Sequence, residues 1–396
     1  MNSARFGSTG RAARSAAGLR PARGARGTHA ARGTHAARGT HAARGTHTAR
    51  GTHAARGNHT ARATRGALAA VVAVVTALAL TACSATGGAP RNRGGDGEGG
   101  GGVDTPRMTV AMVSHGAPGD TFWDLVRKGA EDAAQKDNIE LRYSSHPELP
   151  EQANLIRNAV DSQVDGLAVT MPNPDSLGPV VQTAVDAGIP TVGLNSGMDR
   201  YQDFGMAAFF GQEEKVAGRK AGERLGEEGA KKVLCVIHEQ GNSSQESRCA
   251  GLKEGLNDTA PGGQVELLYV NGMDLTAVES TLQAKLSQDR SVDWVMGLVA
   301  PVALTAVSAR EQAGAEARIA TFDTNAELVG AIEDGEVEFA VDQQPYLQGY
   351  LAVDTLWLAH RNGSAPGGAR PVYTGPSFVD ASNVDKIAEA AKEGLR

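Results

Sequence analysis

Thr109-Val-Ala-Met-Val-Ser114 is followed, after a polar loop, by an amphipathic stretch over 121–137. The pattern recurs as Glu140-Leu-Arg-Tyr-Ser144 with 151–162, and as Gly166-Leu-Ala-Val-Thr-Met171 with 175–187. Each first member has the length of a strand and each second the length of a helix, which predicts βαβ units and a parallel sheet. After 191–195 the rhythm restarts. Residues 232–237, 265–270, 294–299, 318–322 and 338–342 each precede a helical stretch, at 245–257, 276–288, 302–313, 325–333 and 346–361. Two such series predict an α/β chain with two doubly wound parallel-sheet lobes. Strands buried on both faces account for the near-continuous Val, Leu and Ile runs.

Upstream the character changes. Residues 83–106 are Gly-rich and polar, the composition of a flexible tether. Before them stands an apolar run of 16 residues, 67–82, preceded by a segment whose only charges are positive. That order of charge, apolar run and small residues is a secretory signal, and Leu80-Thr81-Ala82-Cys83 resembles the bacterial lipobox. The resemblance implies lipidation at Cys83 and a chain held outside the cell membrane by its lipid. A transmembrane anchor is the alternative, but the run is short of the roughly 20 residues needed to span a bilayer. Residues 24–62 repeat Ala-Arg-Gly-Thr-His-Ala with small variations. Too little of the repeat is apolar to form a core, so 1–82 is read as a low-complexity leader.

Charge divides at the same place. Residues 1–82 hold 13 arginines, no lysine and no acid, which leaves 26 basic against 45 acidic residues downstream, near −19. A surface that acidic argues against nucleic acid as a partner. Beyond Cys83 the cysteines are Cys235 and Cys249. An extracytoplasmic compartment permits a disulfide between them, and two buried free thiols are the other reading. His238 has no companions at ligand spacing, so no metal is expected.

Ligands of open α/β sheets bind beyond the carboxyl ends of the strands. The residues there are His115 and Asp120-Thr-Phe122-Trp123, then Asn195, then His238-Glu239 and Arg248, then Asp323, then Gln343. Carboxylate, amide and guanidinium groups with aromatic rings suit a polyhydroxylated ring, by bidentate hydrogen bonds to vicinal hydroxyls and flat faces against C–H patches.

On these residues, the chain from about 108 to its end resembles a type I periplasmic solute-binding protein of the ribose/galactose group. Asp120-Thr-Phe122-Trp123 matches that family's Asn/Asp-x-Phe-aromatic loop. Asn195 falls where the family has an Asp or Asn on the ligand, Arg248 matches its sugar-clamping arginine, Asp323 its Gly-(Phe/Val)-Asp carboxylate, and Gln343 the amide at the last hinge crossing. The resemblance implies three chain crossings near 210, 343 and 373. The first lobe would then combine 107–209 with 344–373, and the second 210–343 with 374–396. It also implies capture of a sugar or sugar-like polyol in the cleft, hinge closure, and delivery to an ABC permease and its ATPase, by a monomer that needs no cofactor. One departure stands out: Val299-Ala300-Pro301 replaces the family's Asn-Asp, and Ser196 stands where ribose binders often carry a second arginine. That implies a ligand with fewer hydroxyls on that side, or a different ring such as a cyclitol.

Each residue also has a plainer reading. Asp120 is placed to cap the 121–137 helix, Phe122 and Trp123 to sit in the core, Arg248 to pair on a helix surface, and Asp323 to cap 325–333. His115 and Glu239 could simply brace loops. The sequence has no Gly-x-Ser-x-Gly, no Walker loop and no Gly-x-Gly-x-x-Gly after a strand, so an enzyme is not expected. A sensor that presents its closed lobes to a receptor kinase, or a binder of a non-sugar polar solute, would share the architecture. A repressor of related fold would need a helix-turn-helix where the tether stands.

Overall fold

The computed structural model describes residues 106–368 and 370–396. Cys83, the leader and most of the tether lie outside the described residues. Two six-stranded sheets form the frame.

The first sheet contains β1 (Met108–Ser114), β2 (Ile139–Ser145), β3 (Gly166–Val169), β4 (Thr191–Leu194), β5 (Ala208–Gly211) and β11 (Val372–Tyr373), in the spatial order β11-β5-β4-β3-β1-β2. Every pairing in it is parallel. The second holds β6 (Lys232–Ile237), β7 (Gln264–Tyr269), β8 (Trp294–Gly297), β9 (Arg318–Phe322), β10 (Phe339–Asp342) and β12 (Ser377–Asp380), ordered β12-β10-β9-β8-β6-β7. Only its edge strand β12 runs antiparallel.

Period-two alternation decides which helices cover which face. In β1, Val110 and Met112 pack with Val126 and Ala130 of α1 (Thr121–Asp137) and Val353 of α9 (Pro345–Asn362). Ala111 and Val113 pack on the other face, with Ile156 of α2 (Leu149–Asp161) and Val181 of α3 (Pro174–Asp186). The chain passes between the sheets after Gly211, after Asp342 and after Tyr373.

Among the elements not legible in the alternation are β5 and the helix after it, α4 (Glu214–Glu227). α4 lies against α5 (Ser243–Thr259) at backbone contact. A Cβ on Gly218 would meet the Arg248 carbonyl oxygen at 2.0 Å, and one on Gly255 the Arg219 carbonyl oxygen at 2.0 Å. Glycines thus let the two helix backbones approach closely, and the first of these contacts lies at Arg248. The second lobe is completed by α6 (Leu275–Gln288), α7 (Ala300–Ala313), α8 (Ala326–Glu333) and α10 (Asp385–Lys392). Cys235 of β6 and Cys249 of α5 form a disulfide, with Cα atoms 6.0 Å apart.

Candidate ligand-binding site

In each sheet the strand order reverses beside the strand that comes first in the chain, β1 or β6, and the loops after those strands open at the switch point. These loops, 115–120 and 238–242, face each other. His115 Nε2 lies 3.4 Å from Asn242 Nδ2 and 3.8 Å from Glu239 Oε2. The lobes touch again where the Ser243 N–H donates to the Pro172 carbonyl at 2.9 Å and Asn325 donates to Thr121 Oγ1 at 3.2 Å. This is a closed cleft.

Between the lobes lies a tight pocket of about 30 Å³. All nine strand-end candidates line it: His115, Asp120, Phe122, Trp123, Asn195, Glu239, Arg248, Asp323 and Gln343. The plainer readings hold for some. Asp120 does cap α1, accepting from the Phe122 N–H at 3.0 Å. Phe122 and Trp123 are buried in the core cluster as well as in the wall. The Trp123 ring stands edge-on to His115 at 4.7 Å and to Phe122 at 5.0 Å. Two plainer readings are corrected. Asp323 does not cap α8, since Asn325 does so through the Leu328 N–H. Arg248 is in an ion pair, but a buried one rather than a surface one.

That pair is with Glu214, at the start of α4. Arg248 Nε donates to Oε2 at 2.6 Å and Nη2 to Oε1 at 3.0 Å. The Phe322 ring sits 4.7 Å from the guanidinium carbon. Nη1 is left to reach the Leu298 carbonyl at 3.3 Å and Asp323 Oδ2 at 4.0 Å. Burial works against the Arg248 charge, yet Glu214 and Asp323 outweigh it and raise its pKa.

Asn195 and Asp323 occupy matching positions, each just after a central strand and each in the left-handed region, with φ of 62° and 67°. Asn and Asp tolerate that conformation better than most residues. Gln343 joins them: its Nε2 donates to Asp323 Oδ1 at 2.7 Å and its Oε1 accepts from Asn195 Nδ2 at 3.2 Å. One amide at a crossing therefore bonds a group from each lobe.

Burial sets the protonation. It pushes Asp120 and Asp323 up to about 7, opposed at Asp323 by Arg248 and at Asp120 by the Phe122 N–H. It holds His115 down to about 3 and His238 to about 4. His115 Nδ1 lies 2.7 Å from Thr170 Oγ1, which fixes the ring.

Sequence reasoning missed Glu214, Asn242 and Gln245. Gln245 Oε1 accepts from the His238 and Glu239 N–H groups at 3.0 and 3.2 Å, so it shapes the loop after β6. Asn242 carried a signal, an Asn ahead of a helix. Glu214 carried none beyond an acid in a first helical turn.

The family model described as periplasmic binding protein domain matches residues 110–363. The chain belongs to the periplasmic binding protein domain family. Among solved structures, a carbohydrate transporter from Acidothermus cellulolyticus 11B, in complex with myo-inositol, is 49% identical with a TM-score of 0.71, covering 74% of this chain and 100% of that one. A glucose-galactose binding protein from Geobacillus stearothermophilus is 21% identical with a TM-score of 0.63, over 70% and 99% of the two chains, and shares the fold. The D-ribose/D-allose-binding protein of Pseudomonas aeruginosa is 24% identical over 64% of this chain and 81% of its own. For a periplasmic binding protein domain, two sheets around one polar pocket is the expected plan.

Proposed function

We propose that the chain captures a neutral ring polyol, a cyclitol such as myo-inositol in the first instance, and delivers it to an ABC importer while held to the membrane by a lipid on Cys83. It is a carrier, not an enzyme. The observation that carries the reading is the pocket itself. Arg248 Nη1, Asp323, Asn195, Gln343 and Asp120 converge from both lobes on one volume flanked by Phe122 and Trp123. Vicinal hydroxyls on a ring are matched by such paired donors and acceptors, and the ring's C–H face by the aromatic walls. Val299 and Ser196 line the same pocket, so one side offers little to a pentose hydroxyl. The 49% identical relative in complex with myo-inositol supports the cyclitol. Delivery and anchoring rest on the family and on the lipobox.

Calorimetric titration with myo-inositol, pentoses and hexoses tests the ligand. Saturable binding of myo-inositol, lost in Arg248→Ala and Asp323→Ala, is expected; binding of a sugar with none for cyclitols would overturn the choice of ring. Movement of the protein from the membrane to the soluble fraction in Cys83→Ala tests the anchor.

A further inference from the structure

A second cavity, of about 660 Å³, adjoins the first and shares Asp120, His238, Glu239 and Val299 with it. Its walls come from both lobes. Pro118, Pro147 and Leu149 stand on one side, and Tyr269, Met273 and Leu275 on the other. Six large hydrophobic side chains are exposed among the described residues, and three of them are these: Tyr269 at 45%, Met273 at 60% and Leu275 at 41%. Exposed apolar side chains gathered at the rim of a ligand pocket mark a contact surface more often than scattered ones do.

The loop that bears them is fixed against the inner pocket. The Val270 N–H donates to the Ile237 carbonyl at 2.9 Å, and the Gly272 N–H to the His238 carbonyl at 3.0 Å. A Cβ on Gly272 would lie 3.0 Å from the His238 side chain, so the loop backbone rests directly on that imidazole. Tyr269 is steadied by its hydroxyl, which donates to Glu246 Oε2 at 3.2 Å. The cavity wall carries the carboxylates Asp120, Glu148 and Glu239 but no lysine or arginine. An anionic substituent would meet Glu148 and Glu239 there with no cation to offset them, and an aliphatic one would leave those polar groups unmatched.

We propose that this outer cavity is a subsite for a second, neutral sugar ring, so that the ligand class extends to glycosylated cyclitols. The inference rests on the proposed binding of a cyclitol in the inner pocket. The cyclitol ring enters the inner pocket, and its glycosidic oxygen exits past Val299, the one apolar side chain that both cavities share. The second ring then lies with a C–H face on Tyr269, Met273 and the prolines, and with hydroxyls toward Glu148 and Glu239. Both lobes would grip it, so the second ring also favours closure.

The test is calorimetric titration of the purified protein with myo-inositol, with the set of mono-O-galactosyl-myo-inositols substituted at each hydroxyl, and with myo-inositol 1-phosphate. At least one galactoside is expected to bind as tightly as myo-inositol or tighter, with the phosphate about tenfold weaker or worse. Tyr269→Ala combined with Met273→Ala should weaken that galactoside about tenfold and leave myo-inositol within about twofold, which also shows that the variant folds. Binding of myo-inositol with no galactoside bound overturns the subsite and leaves the cyclitol reading standing. So does a galactoside whose affinity the double variant does not change, or a phosphate bound as tightly as the galactoside. If neither myo-inositol nor any galactoside binds, the cyclitol reading fails and takes the subsite with it.

Discussion

Glu214 holds Arg248 by both arms of a buried ion pair, Nε to Oε2 at 2.6 Å and Nη2 to Oε1 at 3.0 Å, and leaves Nη1 to face the pocket. Both side chains are more than nine-tenths buried. Removing one partner of such a pair strands a charge, whereas replacing both with apolar groups of similar volume is far less costly. Glu214→Ala is therefore expected to lower unfolding free energy by about 3–5 kcal/mol. Glu214→Leu together with Arg248→Met should recover most of that in urea titrations while binding is lost. Recovery of binding in the double variant would show that the guanidinium does not serve the ligand.

The same pair explains what the sequence concealed. Strand-end residues such as Asp323 and Gln343 were legible because a doubly wound sheet puts its loops at one end, and short apolar runs mark where each strand stops. Glu214 was not, because an acid in a first helical turn needs no tertiary partner to account for it. The helix behind it was hidden for a related reason. α4 buries mainly small residues, Ala217, Gly218, Ala221 and Gly222, with Leu225 its one large apolar side chain in the core, so its packing leaves little apolar signal. β5 is four residues long and sits between a turn and that helix.

Glycine at 218 is required by a contact at the site. A methyl group there would meet the Arg248 carbonyl oxygen at 2.0 Å, which only displacement of α5 relieves. Overpacking of this kind costs about 1–3 kcal/mol, and backbone contact puts Gly218→Ala at the upper end or beyond. Because the shift moves Arg248, ligand affinity should fall too, by about tenfold. A stability loss with unchanged affinity would mean that α5 pivots about some other point.

The Cys235–Cys249 bridge ties β6 to α5 across 14 residues. Closing a loop of that length is worth about 3 kcal/mol through the unfolded chain. Cys235→Ala with Cys249→Ala should lower stability by about that much. Glu214 and the glycine contact still position Arg248, so affinity is expected to stay within about threefold. Urea unfolding and calorimetric titration of the same sample separate the two effects.

Four titratable groups at the pocket offset one another in pH. Burial holds His115 and His238 down to about 3 and about 4, and pushes Asp120 and Asp323 up to about 7. Between about pH 4.5 and 6, the unfolded chain protonates both imidazoles and ionises both carboxylates, and the folded protein does the reverse. The folded and unfolded states then bind equal numbers of protons at these groups, so their joint contribution to stability is flat. Asp120→Asn removes a proton that only the folded state carried. The unfolded state now binds one more, so stability should rise with pH, relative to wild type, by about 1.4 kcal/mol per unit across that window. The amide keeps the cap on α1, because Asn serves there as well as Asp and its oxygen still accepts the Phe122 N–H. Urea titrations of both proteins at several pH values give the difference in slope. Equal slopes would show that Asp120 is already ionised in the folded protein at pH 4.5, and that the pocket meets its ligand with that carboxylate charged.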